Sequence, residues 1–195
     1  VGIECLLTYP CFIQPNAFSH HVCKVKRRHL IGLGSNLGDR EHLLDKAIQK
    51  MQELWGVLPQ CSNRFNTPAW GMTAGTPDFL NQVVMFAWEH SPAPESIMHA
   101  LLEIEKELGR TRIEKNAGYV SRTMDLDLLA IEGVVWNTPE LTLPHPRMHL
   151  RKFVLLPMAE LAGDIRSTPE GPTVDELLSA CPDVSSVQLW PAPGL

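Results

Sequence analysis

The sequence predicts an α+β fold, a ferredoxin-like α/β sandwich with a mainly antiparallel sheet and helices packed on it. Three observations lead to this prediction. Short apolar strands are interspersed with two long amphipathic helices, a Glu132-Gly133 pair is typical of a hairpin turn, and no internal repeat requires a parallel sheet. The chain has 195 residues, of which 44% are hydrophobic, and this suits one domain with flanking segments.

The first half of the predicted domain alternates strands with one helix. An apolar strand at residues 29–33 runs into a turn-rich loop at 34–39. Apolar residues then recur at helical spacing, which predicts a helix over 40–54 with one buried face. Further strands are predicted near 61–66 and at 80–88, with a loop over 67–78 that glycine and proline interrupt.

The second half begins with a helix over 91–108 that opens with Pro92 and Pro94 and stops at Gly109. A basic loop over 110–121 leads to a buried strand at 122–131, which Glu132-Gly133 is predicted to turn into a hairpin with 134–136. A loop at 144–146, a helical or mixed segment at 153–161 and a short helix at 173–179 follow. Thr173 and Glu176 have the spacing of a capping box.

The two ends differ from the predicted domain, which spans residues 29–185. Residues 1–28 hold three of the five cysteines and a basic run at 24–28, without a clear periodicity, so a poorly ordered N-terminal extension is predicted. Its charges follow its apolar part, which is the wrong order for a secretory signal. Residues 186–195 end in a proline-containing run and are predicted to form a C-terminal tail.

Composition excludes several classes of function. The formal net charge of −5 argues against general nucleic-acid binding, so an anionic substrate must be met by a local cluster of arginines. No apolar run approaches the length of a membrane span. The cysteines are odd in number and form no C-x-x-C pair, which favours neither a disulfide framework nor a zinc site. A reducing cytoplasm fits this cysteine content best. We also expect a monomer.

Two aspartates in the strand at 122–131 are candidates for metal binding. Strand side chains alternate between faces, so Asp125 and Asp127 point the same way and Leu126 and Leu128 point into a core. Like charges side by side on a packed strand are costly unless a cation lies between them. Magnesium is usually bound by one or two carboxylates with substrate phosphates. Two solvated aspartates on an edge strand are the alternative interpretation.

Four basic residues precede this aspartate pair along the chain: Arg110, Arg112, Lys115 and Arg122. Arginines beside a metal-bound polyphosphate neutralise charge that builds up during phosphoryl transfer. The alternative is a solvated basic loop without a role in chemistry.

The segment Gly34-Ser35-Asn36 lies between a predicted strand and a predicted helix, where phosphate-binding loops occur. However, it lacks the pattern G-x-x-x-x-G-K-[ST], and Leu37 stands where G-x-G-x-x-G needs its final glycine. We interpret the segment as a tight turn with Asn36 or Asp39 near the cap of the helix.

Three further segments are candidates for ligand binding. The stretch 141–153 is dense in hydrogen-bond donors, including His145 and Arg151. The junctions at 67–71 and 77–81 combine aromatic and amide side chains. These side chains suit a flat pocket for a heteroaromatic ring, with Asn81 at the edge of the ring. Ordinary core aromatics are the alternative interpretation.

Five motifs in order resemble the 6-hydroxymethyl-7,8-dihydropterin pyrophosphokinase family of folate biosynthesis, over about residues 30–161. They are I-G-L-G-S-N-L-G-D at 31–39, P-D-F-L-N at 77–81, E-K-E-L-G-R-T-R at 105–112, R-T-M-D-L-D at 122–127 and L-T-L-P-H-P-R-M at 141–148. The resemblance implies pyrophosphoryl transfer from ATP to the pterin hydroxymethyl oxygen, which gives the pterin diphosphate and AMP. It also implies two Mg²⁺ ions.

The resemblance also implies roles by position. Asp125 and Asp127 would bind the metal ions, and these two residues with Arg110 and Arg122 would form the catalytic group. The nucleotide side would comprise Glu105, Arg110, Arg112, Lys115, Leu128, Thr142, His145 and Arg151. The pterin side would comprise Thr67, Pro68, Trp70, Phe79, Asn81, Tyr119 and Phe153, with Phe79 and Phe153 on either face of the ring.

One segment departs from the family pattern. Many members read W-G-P-R before the two aspartates, whereas this chain reads Gly118-Tyr119-Val120-Ser121-Arg122, in a loop longer by about two residues. Tyr119 would take the place of the tryptophan. The family closes such loops over its substrates, so a length change would alter the closure rate more than the chemistry.

Two hypotheses from other classes stay open at this point. The first is a catalytically silent ferredoxin-like binding or regulatory module, which magnesium-dependent nucleotide binding would distinguish from an enzyme. The second is a magnesium phosphotransferase that uses the same pocket for another alcohol, which pterin affinity would distinguish.

Overall fold

The computed structural model describes residues 26–73, 75–110 and 121–191. The first half comprises β1 (Arg27–Ser35), α1 (Arg40–Trp55), β2 (Gln60–Cys61), β3 (Phe65–Thr67), β4 (Phe79–Trp88) and α2 (Pro94–Glu107). The second half comprises β5 (Asp125–Ile131), β6 (Trp136–Asn137), β7 (Thr142–Leu143), a 3₁₀ turn (Met148–Leu150), α3 (Lys152–Ala162), α4 (Val174–Ser179) and β8 (Gln188–Leu189).

The main sheet has the strand order β5-β1-β4-β3-β8, with β2 beside β4. Every pairing within it is antiparallel, which confirms the predicted α+β fold with an antiparallel sheet. Strand β1 pairs with β4 on one side and with β5 on the other. Residues of these three strands therefore meet at one end of the sheet.

Helices cover both faces of the sheet. On one face, α1 and α2 contribute Met51 and Leu101 to a core that also contains Ile31 and Phe86. On the other face, α3 and α4 pack against residues such as Leu30 and Val83. Burial on both faces explains why the sequence of β4 is an almost continuous apolar run rather than an alternating one.

Helix ends follow the predicted capping chemistry, with one shift. The Asp39 side chain caps α1 by accepting from the His42 backbone N–H, and Thr173 and Glu176 form the predicted capping box of α4. The helix predicted over 91–108 begins only at Pro94. A residue before proline is disfavoured in helical conformation, which keeps Ala93 and the residue before Pro92 out of the helix.

The predicted hairpin between the aspartate-bearing strand and residues 134–136 is wrong. Gly133 does turn the chain, with a φ of 70°. However, β6 pairs with β7 in a separate two-stranded sheet. The Trp136 indole Nε1 donates to Glu95 Oε1 at 2.7 Å, and this contact holds β6 against α2 instead of beside β5.

Ordered structure extends past the predicted domain at both ends. Strand β1 begins at Arg27, and β8 pairs with β3 inside the segment predicted as a tail. Trp190 stacks beside the Arg40 guanidinium at 5.0 Å. Within the described parts of the chain, none of the helices is long and apolar enough to cross a membrane.

Candidate active site

A cavity of about 780 Å³ lies on the same face of the sheet as α3. It extends around the edge strand β5 as far as α2. All the candidate residues that the structure describes line this cavity: Thr67, Pro68, Trp70, Phe79, Asn81, Glu105, Arg110, Arg122, Asp125, Asp127, Leu128, Thr142, His145, Arg151 and Phe153. Arg112, Lys115 and Tyr119 lie outside the described residues. Residues far apart in the sequence are thus brought to one site.

Two glycines of β1 form the floor of the cavity. Gly34 lies between Asn81 of β4 and Asp125 of β5, and Gly32 lies opposite Asp127. A Cβ atom at Gly34 would approach Asn81 Oδ1 to 3.1 Å, so the missing side chain keeps this floor open. Sequence analysis assigned Gly34 only to a turn. Two glycines at alternate positions inside a strand were the available signal, since glycine in a strand often marks a close approach.

The aspartate pair lies on the cavity side of β5, as predicted from strand alternation. Asp125 and Asp127 line the cavity and are partly exposed, whereas Leu126 and Leu128 are buried in the core under α1 and α2 and border the cavity from that side. Burial, together with the negative charge of Asp125, raises the pKa of Asp127 to about 6, although nearby arginines oppose this rise. The site therefore concentrates negative charge that a bound cation would relieve.

Two arginines converge on Asp125. Arg110 Nη1 donates to Asp125 Oδ1 at 2.7 Å, and Arg122 Nη1 contacts Asp125 Oδ2 at 2.8 Å. Arg110 also pairs with Glu105, a buried residue of α2. Glu105 Oε1 accepts the Leu126 backbone N–H at 2.8 Å, so this carboxylate satisfies a donor of the outer strand and holds Arg110 in place.

The segment after β7 brings a neutral imidazole to the cavity. The His145 backbone N–H donates to the Leu129 carbonyl at 2.7 Å, and the ring Nδ1 accepts the Arg147 backbone N–H at 3.2 Å. Burial and the positive charges of Arg151 and Arg147 lower the pKa of His145 to about 4. The ring is therefore neutral at pH 7, with its proton on Nε2, where it can donate to an oxygen acceptor.

An aromatic wall of Trp70, Phe79 and Phe153 lines another part of the cavity. The Arg151 guanidinium lies over the rings of Trp70 and Phe153, at 5.5 and 5.7 Å from their centroids. The Asn81 Nδ2 donates to Thr67 Oγ1 at 2.7 Å, which fixes the side-chain amide and turns Oδ1 toward Gly34. This arrangement offers a flat ring both aromatic contact and one oriented acceptor.

Apart from Glu105, the residues on the α2 side of the cavity were not predicted from the sequence. Met98, His99 and Leu102 of α2 line it, together with residues 139–141. The sequence of α2 showed only an ordinary amphipathic helix, because the opening beside it is created by the position of β6 and β7.

Comparison with protein families and curated proteins identifies close relatives. A family model described as 7,8-dihydro-6-hydroxymethylpterin-pyrophosphokinase (HPPK) matches residues 30–163. The 2-amino-4-hydroxy-6-hydroxymethyldihydropteridine pyrophosphokinase of Porphyromonas gingivalis is 40% identical over 145 residues, which cover 73% of this chain and 95% of that protein. The Bacillus subtilis protein of the same name is 34% identical over 161 residues, with coverage of 82% and 88%.

Solved structures show a similar fold. A crystal structure of HPPK-DHPS in complex with substrates has a TM-score of 0.56 and 9% identity, over 80% of this chain and 43% of that one. Wild-type Plasmodium falciparum HPPK-DHPS has a TM-score of 0.55 and 11% identity, with coverage of 80% and 41%. The chain thus spans less than half the length of these proteins, and the likeness concerns the fold alone.

Proposed function

Because the chain belongs to the 7,8-dihydro-6-hydroxymethylpterin-pyrophosphokinase family, we propose that its cavity holds ATP and the pterin together beside Asp125 and Asp127. The activity is that of a diphosphokinase of folate biosynthesis, which transfers pyrophosphate from ATP to 6-hydroxymethyl-7,8-dihydropterin and gives the pterin diphosphate and AMP. The main support for this location of the substrates is the aspartate pair, in which Asp125 contacts both Arg110 and Arg122.

Mg²⁺ generally accompanies ATP in this family, and we assign its binding to Asp125 and Asp127, with two ions. An all-oxygen pair of carboxylates on one strand face, one with a raised pKa, fits this hard cation. Among the described residues there is no group of three or more His, Cys, Asp or Glu side chains that could hold a metal. Substrate phosphates and water would therefore complete the coordination. When bound, Mg²⁺ supplies neutralisation of the triphosphate charge.

Arg110 and Arg122 are proposed to bind the triphosphate. Both guanidinium groups pair with Asp125. A cation on this carboxylate would compete with those pairings and free the arginines for phosphate oxygens, which match their planar donors. Glu105 would keep Arg110 near the site throughout, since it holds both Arg110 and the Leu126 backbone. Arg112 and Lys115 extend this proposed cluster.

The remaining residues are proposed to divide between the two substrates. His145 would donate from Nε2 on the nucleotide side, next to Leu128, Thr142 and Arg151. Phe79 and Phe153 would stack on the pterin, and Asn81 Oδ1 would accept from its polar edge. Thr67 fixes the Asn81 amide, whereas Pro68, Trp70 and Tyr119 would form the rim of the pterin pocket.

The proposed chemistry is an in-line displacement. The hydroxymethyl oxygen forms a bond to the β-phosphorus and loses its proton, while the bond from this phosphorus to the oxygen of the α-phosphate breaks. AMP leaves with the electron pair. These residues would bind and orient the two substrates and stabilise the charge on the phosphates, and positioning and electrostatic stabilisation are the main sources of rate in phosphoryl transfer.

AMP release from ATP and Mg²⁺, with and without 6-hydroxymethyl-7,8-dihydropterin, tests the activity. We expect AMP only when the pterin is present, and no turnover by Asp127→Ala. Asp164→Ala is a matched control, because Asp164 pairs with Arg28 away from the cavity. ADP in place of AMP, or near-normal turnover by Asp127→Ala, would contradict these assignments. A monomeric state and a cytoplasmic location stay predictions, of which size-exclusion chromatography with light scattering tests the first.

A further inference from the structure

Asn36, in the turn after β1, connects two segments that are distant in sequence. Its side chain is buried, with the residue 3% exposed, and it does not cap α1, because Asp39 does. Asn36 Nδ2 donates to the Pro77 carbonyl at 3.2 Å and to Ser121 Oγ at 3.0 Å. Asn36 Oδ1 accepts the Arg122 backbone N–H at 2.8 Å. The side-chain amide is thus hydrogen-bonded to both segments, to Pro77 in one and to Ser121 and Arg122 in the other.

The two connected segments carry opposite sides of the proposed active site. Pro77 lies two residues before Phe79, at the start of β4 and the aromatic wall. Ser121 and Arg122 lead into β5, and the Arg122 side chain reaches Asp125. A second bond, from the Asn36 backbone N–H to the Arg122 carbonyl at 3.2 Å, strengthens the connection on the arginine side.

We propose that Asn36 is a positioning residue that fixes the pterin wall at Phe79 relative to the arginine segment at 121–122. Because Asn36 bridges these segments, its amide sets the separation between the acceptor hydroxyl and the β-phosphorus when both substrates are bound. Asparagine suits this place because a carboxamide offers an acceptor to Arg122 and donors to Pro77 and Ser121 at once. The inference rests on the proposed division of the cavity between ATP and the pterin.

A neighbouring residue offers a matched control. Asn66 Nδ2 donates to Asp78 Oδ2 at 2.8 Å, and Asn66 Oδ1 accepts from Arg40 at 2.9 Å. Asn66 therefore supports the same 77–79 junction with the same chemical group, but its hydrogen bonds go to Asp78 and Arg40 and not to residues 121–122. Asn66→Ala removes support for the aromatic wall without cutting the connection.

Steady-state kinetics of Asn36→Ala, Asn36→Asp and Asn66→Ala test the proposal. For Asn36→Ala we expect kcat to fall on the order of 10²-fold, because a misplacement of about 1 Å costs that much. The KM values for ATP and pterin should each stay within about threefold, since their own contacts are kept. Asn66→Ala should keep kcat within about threefold of the wild type. Asn36→Asp keeps the oxygen that accepts from Arg122 but loses the hydrogen bonds that Nδ2 donates to Pro77 and Ser121. Its kcat should therefore lie between those of Asn36→Ala and Asn66→Ala.

Hydrogen exchange of the Arg122 amide gives a readout that does not depend on turnover. Exchange should be faster in Asn36→Ala, but unchanged in Asn66→Ala and in Asn36→Asp, which keeps Oδ1. If Asn36→Ala does not fold, Ser121→Ala removes only one of the hydrogen bonds of Asn36, a part-buried one, and should still lower kcat several-fold, the effect expected from the free energy of one hydrogen bond.

Three outcomes would overturn the positioning role. They are a wild-type kcat in Asn36→Ala, a rise in pterin KM with kcat unchanged, and unchanged Arg122 exchange. Failure of the substrate assignment would look different, because wild-type protein would then release no pterin-dependent AMP while the exchange pattern of the variants persisted.

Discussion

Removing the negative charge of Asp127 should stabilise the metal-free protein while it abolishes turnover. Burial and the charge of Asp125 raise the pKa of Asp127 from 3.8 to about 6. An acid with a raised folded-state pKa destabilises the fold above that pKa, and the cost disappears below the unfolded-state pKa. At about 1.4 kcal/mol for each pKa unit, the charged form costs roughly 3 kcal/mol at pH 7.

The assay compares wild type with Asp127→Asn, which keeps the shape of the side chain but carries no charge. In EDTA at pH 7, the variant should melt roughly 6–12 °C higher, since 1 kcal/mol shifts Tm by about 2–4 °C in a chain of this size. The gain should shrink as the pH falls below 6 and vanish below pH 3.8, where Asp127 becomes protonated in both states of the wild type. The variant should release no AMP.

The control is Asp164→Asn. Its partner Arg28 lowers the pKa of Asp164, so this change removes a favourable charge and should not raise Tm. If Asp127→Asn melted at or below the wild-type temperature at pH 7 without metal, the argument from burial and charge repulsion would be wrong. If the variant were more stable but still released AMP, the assignment of Asp127 as a metal ligand would be wrong, whereas the explanation of the stability change would stand.

Three further predictions concern other parts of the molecule. Gly34→Ala should raise the pterin KM several-fold with little change in the ATP KM, because its Cβ would lie 3.1 Å from Asn81 Oδ1. Equal increases in both KM values would show that Gly34 does not lie on the pterin side of the cavity. Arg122→Ala should lower kcat by about 10²–10³-fold in the AMP assay, the usual loss for one preorganised charge-stabilising donor, and a change in KM alone would mean that it only binds. Burial lowers the pKa of His29 from 6.5 to about 4, so the unfolded chain takes up a proton at this residue at a higher pH than the folded one. The stability that His29→Gln gains relative to wild type between pH 6.5 and 4, measured by urea titrations, should therefore be up to roughly 3 kcal/mol, and equal pH slopes in the two proteins would contradict it.

Much of the fold was predictable because its signals are local. Helix α1 follows from apolar spacing over 40–54, and of the two predicted capping residues, Asn36 and Asp39, the structure uses Asp39. Helix α4 follows from the Thr173 and Glu176 pair. Both patterns depend on residues within one or two turns. The common orientation of Asp125 and Asp127 was equally predictable, because alternation is a property of any strand.

Part of the candidate site was predictable for the same reason, and part came only from ordered motifs. The aspartate pair follows from spacing within β5. The aromatic wall, Glu105 and His145 carry no decisive local signal, and their grouping came from resemblance to a family. The structure places those of them that it describes around one cavity, while their roles stay proposals.

Tertiary structure alone decided the features that depend on long-range partners. Strand β6 pairs with β7 and bonds through Trp136 to Glu95 of α2 instead of continuing beside β5, and β8 pairs with the edge of β3. Gly34 forms the cavity floor only because β4 and β5 flank β1, and Asn36 reaches residues 77 and 121 only after folding brings these segments together. The sequence by itself determined the elements and the direction of their side chains, since those follow from backbone geometry. Which elements meet is set by packing between residues distant in the chain, and the packing placed both arginines on Asp125.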